Sequence, residues 1–552
     1  MHNFVSRSPD ISIPEENLVS FVLGQCDQSY DQNKPLLNTL RETSHNFGTG
    51  LQRKLGLQKG DVVALFSANS IDYPVLVFGT FYAGGTVTLV NAAYNKDEVA
   101  SQLKNSAASI LVTTADLLDT AKEACKMVDM DIGHLVVIGP ALQHANDVLE
   151  FRELINVGKA LGKLEWSPSS VEPESTAFLC YSSGTTGLPK GVQLSHRNIV
   201  ANLLQWDQRE TRLDRTCSVI SVLPFSHIYA LSVLIMNPIR REMTSYVLTR
   251  FHPSKFMQLI ERERITAAFV VPPIVKVLLD DSAQGYDLSS LKFLCSGAAP
   301  LSAQMAQDVC SRYNLPISQG YGLTETSPVL CFSSFAGDGY TGSVGQLLPN
   351  IILRIINEDN KSQLVGGVGE LQVRGPNVMR GYLNNPEANA EAFTTDGYFR
   401  TGDIGYMSTN GEVFIIDRLK ELIKYKGFQV PPAELESLLL THPAIQDCAV
   451  IGRNCDIEVT ELPTAYCVLR PSVLQNRAQL PIGWSDVDQI QDDPSTHLLA
   501  VARDIISFIG KNVSNHKKLR GGVVFTDSIP RVPAGKILRR VLRDRTGVQF
   551  LV

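Results

Sequence analysis

Short apolar runs alternate with helix-like stretches through the first half of this chain, and this alternation constrains the fold more than any other feature. Val62–Phe66, Thr86–Val90 and residues 109–113 have the composition of buried strands, and residues 73–82 and 98–104 between them have helical character. Strands that alternate with helices build parallel sheets through crossover connections. We therefore predict an α/β fold with parallel sheets. Further strand-like runs lie near residues 135, 178, 218, 267 and 293.

The second half of the chain has a different texture. Residues 342–416 contain short alternating strands with Gly and Asn turns, which indicates an antiparallel, β-rich subdomain. Helix and strand patterns alternate again beyond Lys420, and residues 470–493 have the Gln, Asp, Pro and Ser content of a surface insertion. A chain of 552 residues is also too long for one compact core. We predict a large N-terminal domain over residues 1–419 and a small α+β C-terminal domain over residues 420–552.

Residues 178–192, FLCYSSGTTGLPKGV, form a loop rich in hydroxyls and glycine after an apolar run. Hydroxyl donors, backbone amides made accessible by glycine, and the charge of Lys190 suit a phosphate group. The spacing is not that of a P-loop, because only two residues separate Gly184 from Gly187 and a glycine follows Lys190. A turn-rich surface loop without a ligand is the alternative.

Composition and charge argue against several classes of protein. A net charge of -6 without a basic run gives no reason to expect nucleic acid as a partner, and no apolar run of about eighteen residues predicts a membrane span. The ten cysteines have no Cys-x-x-Cys spacing for a structural metal, so we expect them to be reduced. The N-terminus has no signal-peptide pattern and the chain ends in Phe-Leu-Val rather than Ser-Lys-Leu. We therefore expect a cytoplasmic location; the oligomeric state stays open.

Five motifs follow one another along the chain. They are the loop 178–192, QGYGLTETSP at 319–328, YFRTGDIG at 398–405, DRLKELIKYKGFQV at 417–430 and PAGKIL at 533–538. Together they resemble those of the adenylate-forming superfamily, in particular the 4-coumarate:CoA ligase and acyl-CoA synthetase group, to which firefly luciferase also belongs. The resemblance implies an ATP-dependent ligase in which a carboxylate attacks ATP to give an acyl adenylate and pyrophosphate, and coenzyme A then displaces AMP. It also implies a large AMP-binding domain and a small mobile C-terminal domain with a hinge near Lys420.

By the same resemblance, most of the matched residues would contact ATP. Glu325 would hold Mg²⁺, a hard cation that prefers oxygen ligands. Lys536 would bridge the carboxylate and the α-phosphate, where a desolvated ammonium offsets the repulsion of two anions. The residues that would contact the phosphates are Ser182, Ser183, Gly184, Thr185, Thr186, Lys190 and Thr324. Those that would line the adenine site are Ala298, Gln319, Gly320 and Tyr321, and those that would bind the ribose are Asp403 and Arg418.

A second set of residues would serve the thioester half-reaction. The resemblance assigns Lys426 and Gly427 to coenzyme A, and Lys424 and Gln429 to thioester formation. The small domain would rotate about Lys420 and exchange the Lys536 segment for the Gly427 segment, a conformational step of the kind that can limit turnover.

The acyl pocket departs from the pattern of the coumarate ligases. His227 and Tyr229 match, and His227 would lie near the acyl carboxylate, but Val233 replaces a serine and Phe332 replaces an unbranched methionine. Loss of a hydroxyl and gain of a ring disfavour a polar phenol. We therefore expect a mostly apolar acid, either a medium or long acyl chain or a less hydroxylated aromatic acid.

Other interpretations of the same motifs stay open. A stand-alone adenylation enzyme would pass the acyl group to a carrier protein, a luciferase-like oxygenase would oxidise the adenylate, and a nucleotide-binding relative would not turn over. Taken singly, the site residues also have ordinary explanations: Glu325 as an acid at a helix N-terminus, Asp403 in a turn, Arg418 as a surface charge, Lys536 in a solvated basic tail, and His227 as a structural hydrogen-bonding group.

Overall fold

The structure, a computed structural model, describes most of the chain in several ranges. These are residues 2–24, 35–139, 148–162, 164, 170–182, 189–333, 342–455, 458, 460–474, 494–532, 535–543 and 549–550. The phosphate-loop residues Ser183, Gly184, Thr185 and Thr186 lie outside them, as do residues 475–493 of the predicted insertion.

The strands and helices have the following bounds. The strands are β1 (Phe4–Val5), β2 (Val62–Phe66), β3 (Thr86–Val90), β4 (Ala108–Thr114), β5 (Leu135–Ile138), β6 (Leu149–Glu150), β7 (Thr176–Ser182), β8 (Lys190–Ser195), β9 (Ser218–Ser221), β10 (Thr244–Val247), β11 (Ala267–Val270), β12 (Phe293–Ser296), β13 (Ile317–Gly322), β14 (Val329–Ser333), β15 (Gln346–Leu347), β16 (Ile352–Ile356), β17 (Gly369–Arg374), β18 (Gly381–Tyr382), β19 (Phe399–Met407), β20 (Val413–Arg418), β21 (Ile423–Tyr425), β22 (Phe428–Val430), β23 (Ile445–Cys455), β24 (Thr460–Leu469), β25 (Val523–Phe525) and β26 (Gln549–Phe550). The α-helices are α1 (Leu18–Leu23), α2 (Pro35–Leu55), α3 (Tyr73–Tyr82), α4 (Lys96–Ser106), α5 (Leu118–Met127), α6 (Phe151–Leu161), α7 (His196–Asp207), α8 (Ile228–Ala230), α9 (Asn237–Arg240), α10 (Pro253–Glu263), α11 (Pro272–Leu279), α12 (Ala303–Tyr313), α13 (Pro386–Ala392), α14 (Pro432–Leu439), α15 (Pro471–Leu474), α16 (Pro494–Asn512) and α17 (Arg539–Arg543), and a π-helical stretch, Leu231–Met236, joins α8 to α9.

Two large sheets confirm the α/β architecture predicted from the alternating pattern. One has the strand order β18-β8-β7-β3-β2-β4-β5-β6 and the other the order β10-β9-β11-β12-β13-β14-β15. Their central strands run parallel, as in the register Val63 with Val87, because helices such as α3 cross between them. Antiparallel strands close one end of each sheet: β7, β8 and β18 in the first, and β13, β14 and β15 in the second.

A five-stranded antiparallel sheet provides the predicted β-rich region. Its order is β1-β16-β17-β19-β20, so the extreme N-terminal strand pairs at its edge. Strand β19 alternates buried and partly exposed residues, which is typical of a sheet with one face on the core. This sheet brings Asp403 and Arg418 opposite one another.

The C-terminal part contains a separate hydrophobic core. Strands β23–β26 form a four-stranded sheet, and β21 and β22 form a hairpin. Helices α14 and α16 pack on this region and bury residues such as Leu435 and Ile505. The core of the N-terminal part extends to Val413, and that of the C-terminal part begins at Ile423. These limits are compatible with a boundary near Lys420, which stays a prediction.

Two segments whose glycines are typical of turns lie in strands. Residues 319–322 have the composition of a turn, yet they lie in strand β13, and Thr401, Gly402 and Asp403 lie within strand β19. In both places pairing with a neighbouring strand outweighs the turn propensity of glycine, because the ladder satisfies the backbone groups. Among the described residues, no helix is both long and apolar enough to cross a membrane.

Candidate active site

The centre of the site is a buried carboxylate with two partners. The Asp403 side chain lies between Arg418 Nε, 3.1 Å from its Oδ1, and the Tyr321 hydroxyl, which donates to Oδ2 at 2.6 Å. Asp403 is 3% exposed, and its backbone amide donates to Thr401 Oγ1. The attraction of Asp403 raises the pKa of Arg418, so the guanidinium stays charged. The alternatives of a turn aspartate and an isolated surface arginine do not fit this geometry.

The predicted adenine residues lie at the carboxyl ends of neighbouring strands. Gln319, Gly320 and Tyr321 belong to β13, and β12 pairs with it in parallel, with Ser296 opposite Gln319. Ala298 follows β12 with a φ of 67°, a left-handed conformation that is uncommon outside glycine. Burial, followed by the Asp403 carboxylate, raises the pKa of Tyr321, which therefore remains a hydrogen-bond donor. Ligands of open α/β sheets bind at such strand ends.

Glu325 lies just beyond strand β13, in the 3₁₀ turn Thr324–Thr326. Its side chain is 8% exposed overall, and the hydroxyl of Tyr382 donates to its Oε1 at 2.9 Å. Its backbone carbonyl accepts from the amide of Met379 at 2.8 Å. Sequence reasoning missed Tyr382, since a tyrosine in a short strand carries no chemical signal until the fold brings it to a carboxylate.

The described edges of the phosphate loop lie beside this tyrosine. Ser182 ends β7 and pairs in register with Lys190, which begins β8. The Lys190 ammonium lies 5.0 Å from the centroid of the Tyr382 ring. Lys190 therefore contacts the ring of Tyr382, and Glu325 contacts its hydroxyl.

Lys536 reaches the site from the C-terminal part of the chain. Its segment folds back on itself: Arg531 and Ile537 form a β-bridge, and the amide of Val532 donates to the carbonyl of Lys536. Gly535 has a φ of 87° and lies against Val271 of the N-terminal part, where a Cβ atom would be 3.4 Å from the valine Cβ. A left-handed glycine thus lets this turn approach the larger region closely.

The electrostatic surroundings of Lys536 differ from those of a solvated tail. Its side chain is partly buried. Burial lowers the pKa of its ammonium, and the nearby Arg418 guanidinium lowers it further, whereas the negative charges of Glu421 and Asp403 raise it. The lysine therefore lies within electrostatic range of the Asp403–Arg418 pair.

Two arginines anchor the Lys536 segment on either side. Arg531 donates to the carbonyl of Gly535 and forms an ion pair with Asp447 at 2.9 Å. Arg539, whose side chain is 10% exposed, pairs with Glu421 at 3.2 Å and with Glu436 at 3.0 Å. Glu421 directly follows the predicted hinge residue. Arg539 thus links the hinge, α14 and the Lys536 segment.

The predicted thioester residues do not join this centre. Lys424, Lys426, Gly427 and Gln429 lie exposed on the β21–β22 hairpin, as does Lys420 before it. Lys426 pairs with Glu458 at 2.7 Å, the Lys424 amide donates to Glu461, and Gln429 contacts Glu358. The structure therefore brings together those predicted adenylation residues that it describes, and it leaves the predicted thioester residues on the surface.

The predicted acyl residues lie on the seven-stranded sheet and beside it. The His227 ring accepts from the amide of Tyr229 at 3.2 Å through Nδ1, and burial lowers its pKa to about 4, so the ring is neutral near pH 7. The Tyr229 ring lies against Gly297, and its hydroxyl donates to the carbonyl of Cys295 at 3.4 Å. Burial raises the pKa of the Cys295 thiol to about 12, which favours packing over nucleophilic chemistry.

Val233 and Phe332 are both buried. Val233 lies in the π-helical stretch Leu231–Met236 and is 2% exposed. Phe332 stands opposite Gly320 in the β13–β14 ladder and packs edge-on against Trp206, with 5.9 Å between ring centroids. These surroundings are apolar.

Comparisons with known proteins agree with this fold and identify its family. The model for AMP-binding enzymes matches residues 37–383, and that for the AMP-binding enzyme C-terminal domain matches residues 434–536. The chain belongs to this family of AMP-binding enzymes, the adenylate-forming superfamily, and to its acid–thiol ligases.

Three similar proteins illustrate the relationship. The probable 4-coumarate–CoA ligase 1 of Dictyostelium discoideum is 35% identical, with 98% of this chain and 97% of the relative covered. The 4-coumarate–CoA ligase 1 of Narcissus pseudonarcissus is 35% identical over 99% of this chain and 97% of that relative. The crystal structure of ATP-bound MatB from Rhodopseudomonas palustris superposes with a TM-score of 0.75 at 26% identity, over 92% of this chain and 93% of that chain.

Proposed function

We propose that this chain is an ATP-dependent acid–CoA ligase that forms an acyl adenylate with release of pyrophosphate and then an acyl-CoA thioester with release of AMP. One observation carries the proposal: Lys536, from beyond the predicted hinge, lies within electrostatic range of the buried Asp403–Arg418 pair. A mere nucleotide binder has no need of such a lysine. An enzyme that joins two anions requires it, because a partly desolvated cation offsets their repulsion.

The residues around this lysine have distinct tasks in the proposed first half-reaction. Asp403 accepts from the ribose hydroxyls, and its contacts with Arg418 and Tyr321 hold its side chain in place. Tyr321 offers a flat face to the adenine. Lys536 contacts the attacking carboxylate and the α-phosphate, and the neutral ring of His227 donates through Nε2 to the acyl carboxylate, because its Nδ1 already accepts from Tyr229.

Magnesium fits the donor set, with Glu325 as its protein ligand. Proteins often hold this ion through one or two carboxylates together with substrate phosphates, which suits a single buried carboxylate near the phosphate-loop lysine. Among the described residues no cluster of three or more acidic, His or Cys side chains could hold an ion independently. When bound with ATP, the ion would neutralise charge on the phosphate oxygens.

In the proposed second half-reaction, the small domain turns about Lys420 and presents the β21–β22 hairpin to the adenylate. Lys426 and Gly427 would contact coenzyme A, and Lys424 and Gln429 would assist thioester formation. Their exposure supports this proposal, since surface residues are free to dock elsewhere after a rotation. Gly427 has a φ of 83° and no side chain to obstruct a pantetheine arm.

For the acid, we propose a mostly apolar carboxylate. Buried Val233 and the packing of Phe332 on Trp206 support an apolar acyl pocket. A phenolic hydroxyl that entered such a pocket would lose its hydrogen bonds to water without gaining new ones from the protein.

A panel of fatty, cinnamic and hydroxycinnamic acids tests both the acid and the acyl acceptor. Pyrophosphate release is measured with and without coenzyme A, and the thioester products are identified by mass. Equal activity on hydroxycinnamates and none on apolar acids would overturn the substrate proposal. Acyl transfer only to a carrier protein, or light emission with luciferin, would overturn the proposal that coenzyme A is the acyl acceptor.

His227→Ala is expected to lower the adenylation rate about tenfold to a hundredfold, the effect of losing one hydrogen bond to a charged group. Because burial lowers the pKa of His227 to about 4, its ring stays neutral from pH 5.5 to 8.0. The ratio of wild-type to variant rates should therefore be constant across that range. A ratio that changes with a midpoint near the ordinary histidine pKa would contradict the neutral-donor role.

A further inference from the structure

Tyr382 contacts two charged groups, one predicted to hold the metal ion (Glu325) and one predicted to contact the phosphates of ATP (Lys190). Its hydroxyl donates to Glu325 Oε1 at 2.9 Å, and its ring lies 5.0 Å below the Lys190 ammonium. No motif from the sequence includes this residue.

The backbone holds Tyr382 rigidly in this position. Its amide donates to Asn389 Oδ1 at 2.6 Å, and its carbonyl accepts from Asn389 Nδ2 at 2.9 Å, so one side chain clamps both polar groups. Gly381, with a φ of 146°, permits this approach, because a Cβ there would lie 2.9 Å from the same amide oxygen. Strand β18 also pairs with β8, in the register Tyr382 with Val192, which ties it to the strand that begins at Lys190.

The contacts of the hydroxyl and the ring reinforce each other. The phenol of Tyr382 donates its proton to the carboxylate of Glu325, and the face of the same ring lies against the Lys190 ammonium. A phenol that donates to a carboxylate gains electron density on its ring, and a richer ring attracts an ammonium more strongly.

We propose that Tyr382 is a positioning residue that holds Glu325 ready for the metal ion and Lys190 ready for the phosphates. The inference rests on the proposed function, because it assigns metal and phosphate to these two residues. It adds that a third residue couples them.

The test compares two substitutions of Tyr382. Tyr382→Phe removes the hydroxyl and keeps the ring, whereas Tyr382→Leu removes both. ATP binding is measured by calorimetry in EDTA and at rising Mg²⁺, and Mn²⁺ binding in the presence of ATP is measured by electron paramagnetic resonance. For Tyr382→Phe we expect the metal concentration at half-saturation to rise about tenfold, the value of one charge-assisted hydrogen bond, with ATP affinity in EDTA unchanged. Tyr382→Leu should also weaken ATP binding in EDTA, about threefold, because Lys190 loses the ring.

Two comparisons separate positioning from a general structural effect. Tyr313→Phe removes a hydroxyl from helix α12, where it donates to the carbonyl of Leu278 outside the predicted site, and should change neither metal nor ATP affinity. In a Glu325→Gln background, Tyr382→Phe should have no further effect on the metal dependence, because the two residues act as a unit. Additive effects of the two substitutions, or equal losses with and without metal, would overturn the proposal.

Failure of this inference and failure of the proposed function give different results. If the wild type binds metal–ATP and releases pyrophosphate but Tyr382→Phe binds the metal equally well, only the role of Tyr382 is wrong. If the wild type binds no ATP, the proposed function fails and the role of Tyr382 fails with it.

Discussion

Lys536→Ala is expected to lower the rate of acyl-adenylate formation about a hundredfold to a thousandfold, the effect of removing one preorganised group that stabilises transition-state charge. Thioester formation from a supplied acyl adenylate should remain close to the wild-type rate. The reason is geometric: Lys536 is within electrostatic range of Asp403 and Arg418 in the arrangement seen here, and the proposed second half-reaction moves it away.

Single-turnover pyrophosphate release measures the first step, and thioester formation from a synthetic adenylate measures the second. Lys424→Ala is the matched comparison, since it also removes one ammonium and should slow only the second step. If Lys536→Ala slows both steps equally, or leaves adenylation unchanged, its assignment to the first half-reaction is wrong.

Arg539→Ala is expected to destabilise the C-terminal part by about 3–5 kcal/mol, the usual result of removing one partner from a buried ionic cluster. Its side chain is 10% exposed and pairs with Glu421 and Glu436, which are 14% and 12% exposed. Without the guanidinium these two carboxylates lose their shared counter-charge. Hydrogen–deuterium exchange should accelerate in β23 and β24 and stay unchanged in β2 and β3, whose core is separate.

The neighbouring Arg540 offers a matched control. It is exposed, so Arg540→Ala should change the free energy of unfolding by no more than about 0.5 kcal/mol. Arg539→Lys keeps a charge but loses the planar fork, and we expect an intermediate loss. Equal effects at Arg539 and Arg540 would mean that the cluster does not stabilise the Lys536 segment.

Local pattern predicted the elements best where tertiary contacts agree with it. Val62–Phe66 is apolar over its full length, Thr86–Val90 contains only apolar or β-branched residues, and both form buried parallel strands. Residues 319–322 and 401–403 contain glycines that are typical of turns, yet pairing with neighbouring strands decides their conformation. Propensity is a weak predictor wherever a neighbouring strand satisfies the backbone hydrogen bonds.

The site residues likewise fall into two groups: those that the sequence motifs indicate and those that only the structure reveals. The motif residues are recognisable within their motifs because the proposed chemistry requires particular side chains: an ammonium at Lys536, carboxylates at Glu325 and Asp403. Tyr382 and Arg539 carry no such signal, because what defines each is the residue it touches.

The sequence by itself therefore determined the family, the α/β class and the kind of chemistry, since these depend on which functional groups occur and in what order. Only the tertiary structure decided which of those groups meet. It packs the Lys536 turn of the C-terminal part against Val271 of the N-terminal part, joins Glu325 to Lys190 through Tyr382, and leaves Lys424 and Gln429 on an exposed hairpin. Such encounters depend on how separate sheets pack, and a local sequence pattern contains no information about distance through space.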